Sequence, residues 1–108
     1  MLKSLTIGAL TLPTNIIQGP LAGYSCSPFR QLIWQFGGVA YCTTEMLSAN
    51  NIVHRPDQPI RYRERASNEA YWCVQLAGAK PELLHQATCM VSEWGADIID
   101  LNLSLIHI

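Results

Sequence analysis

The run Tyr71-Trp72-Cys73-Val74-Gln75-Leu76, the joint Ala77-Gly78-Ala79, the segment from Lys80-Pro81-Glu82 to Trp94-Gly95, and the run Ala96-Asp97-Ile98-Ile99-Asp100-Leu101 decide the fold. Tyr71–Leu76 is apolar at nearly every position, as a strand buried on both faces of a parallel sheet must be. After it, Leu83, Leu84, Ala87, Met90, Val91 and Trp94 recur at helical spacing. Proline in the first turn suits a helix start, and Gly95 suits its end. Ala96–Leu101 is again a strand. Strand, helix and strand joined by short loops form a right-handed parallel crossover.

The same alternation holds upstream. Leu5–Ile7 and Leu10–Leu12, separated by Gly8-Ala9, read as a small hairpin. Asn15–Gln18 reads as a strand stopped by Gly19-Pro20. Ser27-Pro28 reads as an N-cap with proline at the first helical position, and Gly37-Gly38 ends that helix. Its apolar face is Phe29, Leu32, Ile33 and Phe36. Val39–Thr43 is a second strand. Thr44 to Val53 reads as a loop and a short helix, and Arg55 to Asn68, with Pro56 and Pro59, as loop.

The order is therefore β-α-β-α-β-α-β behind a hairpin, an α/β chain with parallel strands. No GxGxxG follows the first strand, which removes the dinucleotide-binding open sheet. The expected architecture is the N-terminal half of a (β/α)8 barrel. A full barrel takes roughly 250 residues, so this length supplies about four of its eight strands. A half barrel leaves two parallel edges open.

Composition agrees and excludes little else. The 108 residues are 49 % hydrophobic and 14 % charged, too apolar for a disordered chain. A net charge of −1 gives no global attraction to nucleic acid or acidic membranes. Cys26, Cys42, Cys73 and Cys89 show no CxxC pair and no zinc spacing, so they read as small buried hydrophobes in a reducing compartment. Lys3 is followed by no sustained apolar run, and no stretch of about twenty apolar residues occurs. The cytoplasm is the expected location.

Barrel chemistry stands at the C-terminal ends of strands. Those ends carry Gly19 to Gly23, then Thr44, Glu45 and Met46, then Gln75, and finally Asp100, Leu101 and Asn102. The set offers amides and carboxylates but no histidine, which suits a flat polar ligand better than hydrolysis. A Gly-Pro turn lets a planar ring approach the backbone, and Gln75 both donates and accepts. Simpler roles stay open: a turn that is only a turn, Gln75 bonded to neighbouring backbone, Glu45 paired with a buried arginine such as Arg30.

Taken together, these runs resemble one family. Gly19-Pro20-Leu21-Ala22-Gly23-Tyr24-Ser25-Cys26-Ser27-Pro28-Phe29-Arg30 resembles the P-M-A-G-x-(T/S)-x-x-P-F-R opening of the tRNA-dihydrouridine synthases. Thr44-Glu45-Met46-Leu47-Ser48-Ala49 is similar to their T-E-M-V-S-A segment, Val74-Gln75-Leu76-Ala77-Gly78 to V-Q-L-x-G, and Gly95 to Asn102 to G-A-D-x-I-D-(I/L)-N. The four motifs cover residues 15 to 102 in order.

The resemblance implies an FMN-dependent barrel oxidoreductase that reduces the 5,6 double bond of uridine in tRNA, with NADPH as reductant. It places Pro20, Leu21 and Ala22 against the flavin ring, with Leu21 where the family commonly has methionine. It has Gln75 bond the flavin and sets Asn102 beside flavin and target base. Glu45 and Asp100 take supporting roles, and Arg30 holds the first helix to the barrel.

After Asn102 the pattern departs. The family has N-x-G-C-P, whose cysteine is the proton donor. Here Ser104, Leu105 and Ile106 stand for the glycine, cysteine and proline, and no other cysteine is placed to substitute. His107, on an apolar tail, has nothing to orient it. The expectation is a family segment over residues 1–102, a foreign tail over 103–108, no catalytic residue in this chain and an inactive fragment. The alternatives are another FMN barrel, such as a dihydroorotate dehydrogenase relative, and a non-catalytic half-barrel binding module. The first leaves the P-L-A-G and T-E-M runs unexplained together. The arginines Arg55, Arg61, Arg63 and Arg65 form a local basic feature, but interleaved Asp57, Glu64 and Glu69 favour a solvated, ion-paired loop over a phosphate-binding strip.

Overall fold

The computed structural model describes residues 1–55, 57 and 64–103. Arg61, Arg63, Ser104, Leu105, Ile106 and His107 lie outside the described residues. Strands β1 (Leu5–Ile7) and β2 (Leu10–Leu12) form the expected antiparallel hairpin, with Gly8 at φ 56 in its turn. Then follow β3 (Ile17–Gln18), α1 (Ser27–Phe36), β4 (Tyr41–Thr43), β5 (Leu47–Ser48), α2 (Ala49–His54), β6 (Trp72–Ala77), α3 (Pro81–Glu93) and β7 (Ile98–Asn102).

Strands β3, β4, β6 and β7 pair side by side, every pair parallel, with helices in the connections. This is the α/β architecture of half a (β/α)8 barrel. The β6–β7 ladder runs from Cys73 opposite Ile98 to Ala77 opposite Asn102. Asp97 locks its start: the Asp97 N–H donates to the Trp72 carbonyl at 2.9 Å, and the Trp72 N–H donates to Asp97 Oδ2 at 2.9 Å.

Alternation along the strands divides the core in two. Trp72, Val74 and Leu76 of β6 join Leu47, Ala49 and Ile52 and the buried Ala87 and Val91 of α3 on the helix-covered face. Leu83, Leu84, Met90 and Trp94 pack against this cluster, so the face of α3 predicted from periodicity is the face it buries. On the other face, Cys73, Tyr41 and Ile98 pack with Leu12 and Ala40, and the β1–β2 hairpin covers them.

The structure departs from the sequence expectations in three places. Helix α1 starts one residue early: Cys26 occupies the N-cap without a side-chain cap bond, and Ser27 is buried inside the helix. The predicted apolar face of α1 stays largely outside, with Leu32 and Phe36 exposed, while Ser27 and Arg30 are its buried residues. Lastly, β5 was expected as loop; two residues carry no readable periodicity.

Strand β5 explains the upper part of the sheet. Strand β7 occupies one edge of β6 over Cys73–Ala77, so β4 and β5 share the other. From Thr43 to Leu47 the chain takes four residue steps while β6 takes three, from Cys73 to Leu76. The extra residue makes Thr44-Glu45-Met46 a bulge, a device that re-aims side chains. Thr44 repairs the ladder there. Its N–H donates to the Cys73 carbonyl at 3.0 Å, and its hydroxyl accepts the Gln75 N–H at 3.0 Å, where a regular strand would offer a backbone carbonyl.

Candidate active site

The loop after β3 is built by local bonds. The N–H groups of Tyr24 and Ser25 both donate to the Leu21 carbonyl at 2.9 Å. The fully buried Ser25 hydroxyl accepts the Leu21 N–H at 2.9 Å and donates to the Leu21 carbonyl at 3.1 Å. Pro20, Leu21 and Ala22 thus stand on a fixed turn, exposed at the C-terminal end of the sheet. Gly23 sits at φ 81, a conformation L side chains rarely adopt.

Arg30 secures this turn from beneath. Its Nε donates to the Ser25 carbonyl at 3.1 Å, its Nη2 to the Glu64 carbonyl at 2.8 Å, and its Nη1 to Glu69 Oε1 in a buried ion pair. Glu69 Oε1 also accepts the Ala66 N–H at 3.0 Å. The expectation that Arg30 ties helix to barrel holds. The alternative pairing with Glu45 does not, because Glu69 takes the guanidinium.

The bulge gathers the remaining motifs, one residue each. Thr44 accepts from the Gln75 backbone. Glu45 Oε2 accepts the Gly23 N–H at 3.0 Å, which joins the bulge to the turn. Met46 Sδ accepts from Asn102 Nδ2 at 3.2 Å, which joins it to the end of β7. Glu45 Oε1 is buried and has no partner among the described residues. Sequence reasoning gave Glu45 a supporting role and Met46 none. Backbone donors such as the Gly23 N–H leave no mark in a sequence.

Gln75 is buried on β6 opposite Asp100, and its Nε2 donates to Asp100 Oδ2 at 2.6 Å. The bond fixes the amide's orientation and commits one of its two N–H donors, which leaves its carbonyl to accept. Burial, reinforced by neighbouring Cys73 and Asp100, pushes the Tyr41 phenol up from its ordinary value. Burial likewise pushes the Cys42 and Cys73 thiols up to about 12. Thiols so strongly held in the protonated form are poor nucleophiles. Cys26 is half-buried and Cys89 exposed, so only two of the four cysteines match the buried reading.

Arg65 is spent on structure. It donates to the Glu69, Ala70 and Gly95 carbonyls and lies 3.4 Å from Asp97. Among the described residues no cluster of three or more histidine, cysteine or acidic side chains could hold a metal ion, and no helix is long and apolar enough to cross a membrane.

A half barrel of parallel strands, with a fixed turn, two amides and a bulge assembled at the C-terminal strand ends, has the front end of a barrel enzyme's site. The model of the dihydrouridine synthase family matches residues 17–104. The chain belongs to that family. It is 38 % identical over 97 residues to tRNA-dihydrouridine synthase B of Shewanella oneidensis, covering 90 % of this chain and 30 % of the relative. It is 33 % identical over 101 residues to a probable tRNA-dihydrouridine synthase 1 of Synechocystis sp., covering 94 % and 28 %. With a probable tRNA-dihydrouridine synthase of Treponema pallidum it shares 33 % over 98 residues, covering 90 % and 28 %. The chain thus spans under a third of the length of these relatives. No solved structure gives a significant match.

Proposed function

We propose that this chain is the front part, over residues 1–102, of a cytoplasmic FMN-dependent tRNA-dihydrouridine synthase that takes its reducing equivalents from NADPH. The observation that carries the reading is the bulge, whose three consecutive residues each bond a different motif at one end of the sheet. An assembly of that kind preorganises a site. Family membership and the names of the relatives supply the reaction.

The donor set fits a flat heteroaromatic ring. A Cβ built at Gly19 meets nothing within 4 Å, so the turn's surface is open to a planar neighbour. Pro20, Leu21 and Ala22 would support one ring face. The Gln75 carbonyl would accept from the ring edge, and Asp100 keeps that amide from rotating. Asn102 would contact ring and target base from the end of β7, steadied by Met46. When bound, FMN supplies the hydride for one carbon of the uracil 5,6 bond. The other carbon needs a proton from a positioned acid. Leu105, at the family's cysteine position, cannot give one.

The family match runs to residue 104, so the departure from the family pattern is proposed for the residues after it, beginning with Leu105, and the chain alone is proposed to retain no FMN and reduce no uridine. The test is a chimera of residues 1–102 with the remainder of the Shewanella oneidensis relative. The expected result is a yellow protein that restores dihydrouridine, measured by mass spectrometry of tRNA nucleosides in a strain lacking the enzyme. A folded, colourless and inactive chimera would overturn the proposal.

A further inference from the structure

We propose that a cleft at the C-terminal ends of β5 and β6 holds one nucleotide of the tRNA strand flanking the target uridine; the inference rests on the tRNA reading above. The cleft measures about 300 Å³ and is lined by residues 48–50, residues 77–80 and Leu83. Its place follows from register. Ser48 pairs opposite Ala77, so the chains leaving β5 and β6 diverge from neighbouring points at the C-terminal end of the sheet. That is the end at which barrels meet their substrates.

The floor and rim differ in chemistry. Ala49, Ala77 and Leu83 make the floor apolar. Gly78 lets the layers close beneath it: a Cβ there would lie 3.3 Å from the Ala49 Cβ and 3.4 Å from a Leu84 methyl. The rim carries Ser48, Asn50 and Lys80, and among the described residues no carboxylate lines the cleft. Ser48 Oγ accepts the Asn51 N–H, which leaves its O–H to donate. Neither the Asn50 amide nor the Lys80 ammonium has a side-chain partner among the described residues.

An apolar floor with a hydroxyl, an amide and a lone cation fits a base edge and a phosphate. The volume lies at the lower end of ligand pockets, which run from roughly 300 to 1,000 Å³. It suits a single nucleotide and excludes a whole dinucleotide cofactor.

The experiment titrates the 108-residue chain with uridine 5′-monophosphate, and separately with uridine and with inorganic phosphate, following backbone amides by NMR. Saturable shifts confined to Asn50, Gly78, Ala79 and Lys80 are expected. Lys80→Ala should weaken the monophosphate about tenfold, to the level of uridine. Shifts at Leu21, Gln75 or Asn102 alone, no shifts, or equal binding by Lys80→Ala would overturn the proposal. Photocrosslinking with 5-bromouridine 5′-monophosphate gives an independent reading, since a crosslink mapped outside residues 47–50 and 77–83 also overturns it. Neither probe needs flavin or turnover. An inactive chimera would therefore count against the proposed activity alone, and an active chimera with no cleft binding against the cleft alone.

Discussion

Helices α1 and α3 look alike in sequence and are held in opposite ways. Both have proline in the first turn and apolar residues at helical spacing. Helix α3 buries Ala87 and Val91 and lays Leu83, Leu84, Met90 and Trp94 on the core. Helix α1 leaves Phe36 86 % and Leu32 54 % exposed, while its buried Arg30 bonds Ser25, Glu64 and Glu69. One helix is fixed by removal of apolar area from water, the other mainly by a polar anchor. The anchor is also what steadies the turn at Pro20–Ala22, so around α1 stability and site geometry rest on the same bonds.

The contrast breaks most visibly at its two centres. Trp72→Ala should cost about 3–5 kcal/mol by removing a buried aromatic under α3. Arg30→Met should cost a similar amount, about 3–5 kcal/mol, because Glu69 is left charged and buried without its partner. Urea unfolding measures both, and a double mutant separates them. Arg30→Met combined with Glu69→Leu should recover most of the loss, as replacing both members of a buried pair can. If the double mutant is as unstable as Arg30→Met, the anchor is not a pair.

Ser25→Ala comes next, at about 1–3 kcal/mol, since the buried hydroxyl serves both polar groups of Leu21. The Leu21 amide should also exchange faster with solvent.

The cysteines sharpen the comparison through pH. Their ordinary value is 9.0, and burial raises Cys42 and Cys73 to about 12. The folded state favours the neutral thiols, so their contribution is full below pH 9 and is lost as pH rises towards 12. Unfolding midpoints measured from pH 8 to 11 should fall, and Cys42→Ala should flatten the decline. At pH 8 iodoacetamide should modify Cys89 and spare both buried thiols.

The smallest effect belongs to α1. Phe36→Ser should change stability by no more than about 0.5 kcal/mol, given its exposure. A loss above 2 kcal/mol would show that α1 is held as α3 is.

The sequence made the parallel alternation and the face of α3 legible because a 3.6-residue period survives over thirteen residues. The same reading of α1 found the helix but not its burial, since periodicity says which residues could face a core and not whether a core is there. Arg30 and Glu69 are 39 residues apart and Glu69 lies in irregular chain, so no local pattern links them. The Gln75–Asp100 contact needed the register of β6 against β7, which neither strand encodes alone. The motifs did mark which residues meet at the sheet's end. That Thr44, Glu45 and Met46 would each reach a different one followed only from the extra residue in the bulge.

That extra residue works like the offset of a vernier scale. Two rulers of unequal pitch agree at both ends, Thr43 on Cys73 and Leu47 on Leu76, and disagree between. Shortening the segment by one residue would let the scales coincide throughout and make the ladder continuous. It would also move the side chains that follow the deletion within the segment to the opposite face. The sheet therefore keeps a deliberate misfit, and the misfit lets one short segment address three neighbours at once.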